Sequence, residues 1–364
     1  MFNLLSVSVA LRRTLCAALA TVMIFSLSVS LVSCKGEANT ASSDSDGSLK
    51  DKLNAETSDI KEDSGNYSKN LQYELNDDGV SYKVTTHKGA YGYPTEEAHL
   101  YDSDIVVPPT YNGLPVTVIG EDAFRQYATS IELPNTIEVI ETQAFMYCDE
   151  LTSVTIPDSV KIIETHAFYA CENLKTVKLG NGLITLGSGA FSECYALSEV
   201  SLGNSLREIE GWVFNCASFE SIVIPASVVT IGEAAFQNVR ELKSITVADG
   251  NQNYVSVDGD LYSADKKTLI AYCIGKTEDS FAIPQNVETI DDYAFSQCEN
   301  LKELILPNSI RAIDSAAFYR CTNLSKFVFG GNIDSWREIV RGEHCFTDIP
   351  AEKVSCIDGD TYIW

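Results

Sequence analysis

One nine-residue phrase, Ile-x-x-x-Ala-Phe-x-x-Cys, returns about every 23 residues from the middle of the chain onward. Its phenylalanine stands at Phe145, Phe168, Phe191, Phe214, Phe236, Phe295 and Phe318. Self-similarity at a fixed period of this length is typical of a solenoid, in which each repeat forms one coil. Stacked coils produce a long continuous surface, so the repeat favours a role in contact with other molecules over catalysis.

Each repeat opens with a short alternation of apolar and polar residues. In the unit that begins at Leu151, Val154 and Ile156 alternate with polar residues, and Pro157 follows. Period two over three to five residues predicts a half-buried strand, which Pro ends because it cannot donate to the ladder. The rest of the unit predicts a 3₁₀-like or irregular convex turn. One short strand per coil then gives a parallel concave sheet, with strands about 4.8 Å apart.

The phenylalanines and cysteines at matching levels predict a packed core. Rings at the same height in successive coils can stack, and a buried thiol behaves as a small apolar group. The predicted cysteine ladder contains Cys148, Cys171, Cys194, Cys216, Cys298 and Cys321, with Cys216 one residue early. No pair has the C-x₂-C spacing of a metal site, and regular stacking selects no disulfide partner. We therefore expect no metal and no cofactor.

The repeat resembles the BspA-like, treponemal-type leucine-rich repeat family, whose unit reads Leu-x-x-Ile-x-Leu-Pro-x-x-Leu-x-x-Ile-x-x-x-Ala-Phe-x-x-Cys. The resemblance covers roughly residues 105–330, with Tyr127 and Val239 in place of cysteine. It implies a β-rich leucine-rich repeat solenoid wound as a right-handed superhelix. It also implies adhesion to host matrix proteins, to other bacteria or to host cells.

One interruption breaks the period. The last strand positions Val247 and Ile283 are 36 residues apart, which exceeds one repeat by 13. The excess contains Tyr254 to Tyr262 around Asp258-Gly259, a pair that is typical of a tight hairpin turn. We expect an inserted hairpin within about 249–282 that continues the sheet; a dedicated binding feature is the alternative.

The N-terminal segment predicts export. Residues 1–33 combine Arg12 and Arg13 with an apolar run and small residues, as a secretory signal does. The sequence Leu31-Val-Ser-Cys34 resembles a bacterial lipobox, which implies cleavage before Cys34 and lipid on its sulfur. An ordinary signal peptide or a membrane helix is the alternative. Residues 34–66 contain few large apolar side chains and predict a disordered acidic tether.

The two ends of the solenoid carry different patterns. Residues 67–104 contain two alternating segments around Asp78-Gly79 and predict an N-terminal β cap. Residues 331–364 contain a helix-like segment at Trp336 and a last strand near Val354, which predict a C-terminal cap. Cys345 and Cys356 could form a disulfide within it, although free thiols are the simpler expectation.

Charge and motif content exclude several classes of function. The chain has 26 basic and 51 acidic residues, for a net charge of −25. Nucleic acid and anionic membrane surfaces are disfavoured as partners, because phosphate contacts require Lys and Arg. The four histidines form no catalytic motif, and no phosphate-binding glycine loop occurs. We therefore predict that the chain is not an enzyme.

The strand positions expected to be exposed, which alternate with the buried ones, form two columns across the predicted concave sheet, which we call the concave strip. It consists of Ser153, Thr155, Thr176, Lys178, Glu199, Ser201, Ser221, Val223, Ser244, Thr246, Glu303, Ile305, Lys326 and Val328. Short polar side chains offer contact area at little cost in side-chain entropy. Serine and threonine also simply suit exposed strands, which is the structural alternative.

These features give three hypotheses for function. The first is a surface lipoprotein of the outer membrane or cell surface, membrane-bound through its lipid. Its concave strip would bind a protein ligand, either a host matrix protein or another bacterial surface protein. The second is a periplasm-facing scaffold of the envelope. The third is a glycan- or peptide-processing enzyme, for which no residue pattern argues.

Overall fold

The computed structural model describes residues 65–69, 71–85 and 103–363. The predicted signal segment, Cys34 and residues 35–64 of the predicted tether lie outside the described residues. Across the described ranges, no helix has the length and apolar character needed to cross a membrane.

The described chain is a β-solenoid, as the repeat predicts, but each regular coil contains two short strands instead of one. In the unit at Leu151, the predicted strand Ser153–Thr155 is followed by a second strand, Ile162–Ile163. Each strand pairs in parallel with its counterpart one coil away. Two residues suffice for a strand here because the neighbouring coils supply hydrogen-bond partners. So short a strand has no period that a sequence pattern could reveal.

The first strands of the coils carry the concave strip. They are β3 (Asp104–Val106), β6 (Ser130–Glu132), β8 (Ser153–Thr155), β10 (Thr176–Lys178), β12 (Glu199–Ser201), β14 (Ser221–Ile224), β16 (Ser244–Val247), β20 (Ser280–Ala282), β22 (Glu303–Leu306), β24 (Lys326–Phe329) and β26 (Lys353–Cys356). They form separate parallel groups, in the orders β3-β6, β8-β10-β12, β14-β16 and β20-β22-β24-β26.

The second strands form two further sheets. They are β5 (Leu114–Ile119), β7 (Val139–Ile140), β9 (Ile162–Ile163), β11 (Thr185–Leu186), β13 (Glu208–Ile209), β15 (Thr230–Ile231), β21 (Thr289–Ile290), β23 (Ala312–Ile313) and β25 (Val340–Arg341). The strands β5 to β15 pair successively in one sheet, and β21 to β25 pair in another.

Hairpins complete the sheets at three places. At the N-terminal end, β1 (Gln72–Leu75) pairs with β2 (Tyr82–Thr85) across the Asp78-Gly79 turn, and β4 (Thr110–Tyr111) pairs with β5. The predicted insertion forms β17 (Tyr254–Val257) and β18 (Asp260–Ser263), which continue through β19 (Thr268–Ala271) into β21. At the C-terminal end, helix α1 (Ile333–Glu338) precedes β25, and β27 (Gly359–Tyr362) pairs with β26.

The phenylalanine ladder lies inside the coils as predicted. The ring of Phe168 is fully buried and stacks on Phe145 at 5.0 Å and on Phe191 at 5.1 Å between centroids. Four of the ladder cysteines tie adjacent levels together, because the thiols of Cys148, Cys171, Cys194 and Cys321 each donate to the carbonyl of the phenylalanine one coil earlier. Cys171 Sγ, for example, lies 3.2 Å from the Phe145 carbonyl oxygen. The hydrogen bond with Cys148 lowers the pKa of this thiol, but the hydrogen bond with Cys194 and burial together raise it well above its ordinary value, so the thiol stays protonated and can donate.

The structure corrects the prediction for Cys216 and answers the question left open for Cys345 and Cys356. Cys216 does not lie on the ladder: Ala217 takes that buried place, while Cys216 is half-exposed and has a φ of 67°. The coil is one residue short between Phe214 and Ile222, so the thiol is rotated out of the core. Cys345 and Cys356 are both free thiols, and the possible disulfide does not form.

The outer turns on the convex side share one backbone feature. Each contains two residues with positive φ, four positions apart. The pairs are Asp122 and Gln126, Gln143 and Tyr147, His166 and Ala170, Gly189 and Glu193, Trp212 and Cys216, Ala234 and Asn238, Tyr293 and Gln297, Ala316 and Arg320, and His344 and Asp348. In the turn at Phe168, alternate amides point along the stack: His166, Phe168 and Ala170 donate to carbonyls of the next coil.

Candidate functional site

The concave strip is built by parallel register. Thr155, Lys178 and Ser201 are direct partners across β8, β10 and β12, and the level of Ser153, Thr176 and Glu199 lies beside them. The alternating apolar residue of each strand points inward, as Val154 and Val177 show by their burial. Successive side chains of a strand point to opposite faces of the sheet. Since the apolar set is buried in the core, the other set faces solvent.

The structure places every predicted strip residue away from the core, although to different degrees. Ser153, Thr155, Lys178, Glu199, Ser201, Ser221, Val223, Thr246 and Lys326 are exposed, whereas Thr176, Ser244, Glu303, Ile305 and Val328 are half-buried. Val223 is the apolar member among the exposed ones, with 56% of its surface exposed. Two charges of the strip satisfy each other, since Lys326 Nζ lies 2.8 Å from Glu303 Oε1. The strip is therefore mainly a neutral, hydroxyl-rich surface.

The first-strand sheet breaks at two places along the concave strip. The first break lies between β12 and β14, where the step from Val200 to Ile222 is 22 residues instead of 23. The second lies between β16 and β20, where the inserted hairpin takes the place of a strand: the Ile245 amide donates to the Gly259 carbonyl at 2.7 Å. The 13-residue excess and the short step were visible in the sequence, but their effect on pairing was not.

The first break opens a shallow depression that sequence reasoning missed. Its apolar lining comes from Val200, Leu202, Val223, Pro225 and Ala248, and Ser201 and Ser221 lie at its polar side. Half-buried apolar side chains beside hydroxyls give this part of the strip more apolar contact area than the regular coils. The missing residue between Phe214 and Ile222 was the only signal in the sequence.

The outer turns form a different kind of surface. The ring of His166 is half-buried and packs edge-on against Tyr169 at 5.1 Å. Burial lowers the pKa of His166, and the nearby Glu193 carboxylate opposes that effect. Tyr169 donates its hydroxyl to Glu193, so these groups are occupied with one another. The arrangement contains no nucleophile activated by a base.

A buried ion pair holds the inserted hairpin. Asp260 has no exposed surface; its Oδ1 accepts the Cys273 amide at 2.8 Å and lies 2.7 Å from Lys276 Nζ. Lys276 also donates to the Asp258 carbonyl at 2.8 Å. Burial raises the pKa of Asp260, and Lys276 opposes that shift. Every strong contact here is internal to the insertion, which indicates a structural tie.

No cluster of three or more metal-ligating side chains occurs within the described ranges. The cysteine ladder does not supply one either, because its thiols donate to carbonyls of the preceding coil.

Comparison with known proteins agrees with this architecture. The family model for the BspA type leucine rich repeat region matches this sequence in six copies, over residues 113–215, 138–256 and 271–356. No curated protein sequence matches the chain.

Two solved structures share the fold. The pneumococcal vaccine antigen PcpA is 23% identical with a TM-score of 0.60, and the match covers 79% of this chain and 80% of that one. A leucine rich cell surface protein from Faecalibacterium prausnitzii is 24% identical with a TM-score of 0.53, covering 74% and 96% respectively. The repeat matches span well over half of the sequence, so the chain belongs to the BspA-type leucine-rich repeat family.

Proposed function

We propose that the chain is an exported, lipid-anchored surface protein that binds a protein ligand through the concave strip. The observation that carries the proposal is the in-register exposure of small polar side chains on β8, β10 and β12, next to the apolar depression around Val223. Such a face can contact a partner over several strands. A stable complex would bury on the order of 1,200–2,000 Å² in total.

Charge restricts the partner. The net charge is −25, and the predicted signal segment holds two of the basic residues and no acidic one. A neutral or basic protein surface would therefore associate more readily than an acidic one. The candidates are a host matrix protein and another bacterial surface protein. The description of the Faecalibacterium relative as a cell surface protein agrees with exposure at the cell surface.

Binding is tested with purified protein on panels of immobilised extracellular-matrix proteins and bacterial envelope proteins. Replacing Thr155, Lys178, Ser201 and Val223 together by glutamate should reduce binding at least about tenfold, since like charge and bulk would face the partner. The matched control replaces exposed outer-turn residues, Gln126, Tyr195 and Arg320, by glutamate. Circular dichroism confirms that both variants fold. The proposal fails if the control loses binding while the strip variant keeps it.

The anchor and the location have their own test. The Leu31-Val-Ser-Cys34 sequence supports lipid attachment to Cys34 after cleavage, and mass analysis of the mature N-terminal peptide should detect diacylglycerol on that sulfur. Cys34→Ser should leave the precursor uncleaved. Protease treatment of intact cells then separates the surface protein, which is digested, from a periplasm-facing scaffold, which is protected. An unmodified N-terminus at another residue would contradict the anchor.

A further inference from the structure

The solenoid contains a seam where the inserted hairpin interrupts it. We use this name for the contact between the outer turn at 231–239 and residues 270–274 and 291–298. The second-strand sheet that begins at β1 ends at β15, and a separate sheet starts at β17. Across the gap, the Ile231 amide donates to the hydroxyl of Tyr254 at 2.8 Å instead of to a strand carbonyl. A single side chain thus replaces a backbone ladder.

The core is divided at the same place. Phe236 stacks on Phe214 at 6.0 Å, and Tyr272 stacks on Phe295 at 4.9 Å. Among the described aromatic residues, no ring contact joins Phe236 to Tyr272. The buried apolar residues form two clusters, and the insertion contributes to both: Leu261 and Cys273 belong to the cluster of the coils before it, and Tyr262 and Tyr272 to the cluster of the coils after it. The aromatic stacking that links adjacent regular coils is therefore interrupted between Phe236 and Tyr272.

The outer-turn amide ladder is also broken. In a regular turn, the amides equivalent to His166, Phe168 and Ala170 donate to the next coil. The corresponding amides of Ala234, Phe236 and Asn238 have no backbone acceptor in the described part of the chain. They line a cavity of about 30 Å³, large enough for water molecules but not for another strand. Water in that cavity would satisfy these amides and leave the seam hydrated.

Away from the outer turns, backbone hydrogen bonds join the coils to the insertion, since the Ile245 amide donates to the Gly259 carbonyl at 2.7 Å and the Gly275 amide to the Leu242 carbonyl at 2.8 Å. On the outer-turn side of the seam, the side-chain contacts are weak ones. Gln237 Nε2 lies 3.3 Å from Ser296 Oγ, and the Trp212 and Tyr293 rings meet edge-on at 6.4 Å. The ion pair between Arg240 and Glu299 is 3.3 Å long, with both side chains more than half exposed. Exposed ion pairs of this kind contribute little to stability.

Carboxylates face each other across the seam without a cation. Glu233 lies on the first side, and Asp291 and Asp292 lie on the second, with Asp314 one coil further. No lysine, arginine or histidine is among the residues that line the cavity. Burial raises the pKa of Asp291 to about 6, and the charges of Asp292, Asp314 and Glu233 add to the shift.

Asp291 has one more titratable neighbour. Tyr254, on the hairpin, has a raised pKa through burial, and Asp291 contributes to that shift. The tyrosine is therefore neutral over the range in which Asp291 titrates. The charge at the seam below neutral pH consequently depends on the carboxylates.

We propose that the seam is a built-in hinge at which the solenoid opens when its facing carboxylates are ionised and closes when Asp291 is protonated. Opening would move the coils before the hairpin relative to the coils after it. It would change the spacing between the parts of the concave strip on β16 and on β22. The proposal concerns the fold and holds whether or not the strip binds a ligand.

Hydrogen exchange measured by mass spectrometry tests the hinge in the purified full chain. After correction for intrinsic rates, segments 231–239 and 291–298 should exchange at least about tenfold faster near pH 7.5 than near pH 5, because ionisation favours opening. The outer turn at 165–171 lies in an uninterrupted stack, and its corrected exchange should not change with pH.

Variants separate the hinge from general loosening. In the Asp291→Asn variant, the two seam segments should exchange slowly at both pH values. The Glu233→Gln variant removes a carboxylate from the first side of the seam and should reduce the pH dependence of their exchange. Glu210→Gln is the matched control, because Glu210 occupies the place of Asp291 in an uninterrupted coil. It should keep the wild-type pH dependence. The hinge is refuted if the two seam segments respond to pH no more than 165–171 does, or if Asp291→Asn behaves like the wild type.

Discussion

Left-handed backbone at two residues of every outer turn is the clearest feature at the scale of single residues. Only one of these positions, Gly189, is occupied by glycine; the others include His166, Trp212 and Ala316. A residue with a Cβ pays about 1–2 kcal/mol in this conformation. In regular turns the amides of these residues donate to the next coil, as His166 and Ala170 do, although Ala234 and Asn238 keep the same conformation without such an acceptor. The strain is thus a regular consequence of stacking, and by itself it marks no special site.

Glycine at an exposed left-handed position should therefore stabilise the protein. Gln126 has a φ of 67° and an exposed side chain, so Gln126→Gly should raise the free energy of unfolding by about 0.5–1 kcal/mol. Glu121 is exposed in the same turn but has an ordinary negative φ. Glu121→Gly should therefore lower the free energy of unfolding by a similar amount. Denaturant midpoints measure both. Equal effects of the same sign would show that φ does not control stability here.

At the scale of elements, the inserted hairpin is held by one buried ion pair. Asp260 is completely enclosed and accepts the Cys273 amide, while Lys276 reaches it from the following loop. The turn of this hairpin also serves as the hydrogen-bond partner of β16, through the Gly259 carbonyl. The tie therefore determines how the coils before the insertion are joined to those after it.

Removing one member of this pair should be costly. Asp260→Ala leaves the Cys273 amide without its acceptor and the Lys276 charge with only the Asp258 carbonyl, and we expect a loss of about 3–5 kcal/mol in the free energy of unfolding. The exposed pair between Asp279 and Lys302, at 3.5 Å, provides the control. Asp279→Ala should cost less than about 1 kcal/mol. Urea denaturation distinguishes the two, and similar costs would mean that the hairpin is not held by this tie.

At the scale of the whole molecule, stability should depend on pH through buried carboxyls. The folded-state pKa of Asp291 is about 6, and those of Asp260 and Asp314 are raised as well, mainly by burial. Their unfolded values lie near 3.9, so between about pH 4 and pH 6 the folded state binds more protons. The free energy of unfolding must then fall as pH rises through this window and change little just above it.

Thermal unfolding at several pH values checks this expectation. The Tm should be higher near pH 5 than near pH 7.5, and Asp291→Asn should reduce the difference because it removes one of the titrating groups. Hydrogen bonds lower the pKa values of Asp78, Asp104 and Asp265. The stability that these carboxylates contribute to the folded state is therefore lost only under more acidic conditions. A Tm that rises from pH 5 to pH 7.5 would contradict the prediction.

The sequence by itself determined the repeat, the buried levels and the position of the hairpin. It could do so because apolar spacing has a period that can be read locally: Phe145, Phe168 and Phe191 stack as their spacing requires. Asp258-Gly259 likewise forms the predicted turn, since this dipeptide favours the backbone that a tight hairpin needs. The exposed face of the first strands followed from the same alternation.

Only the tertiary structure decided what depends on the neighbouring coil. The second strand of each regular coil is two residues long, and its hydrogen bonds come from residues about 23 positions away. The left-handed residues carry no glycine signal, because the stack imposes their conformation. One missing residue moved Cys216 off the ladder and divided the first-strand sheet, and the hairpin divided both sheets. These outcomes depend on register between coils, which is a property of the assembled stack and not of any single repeat.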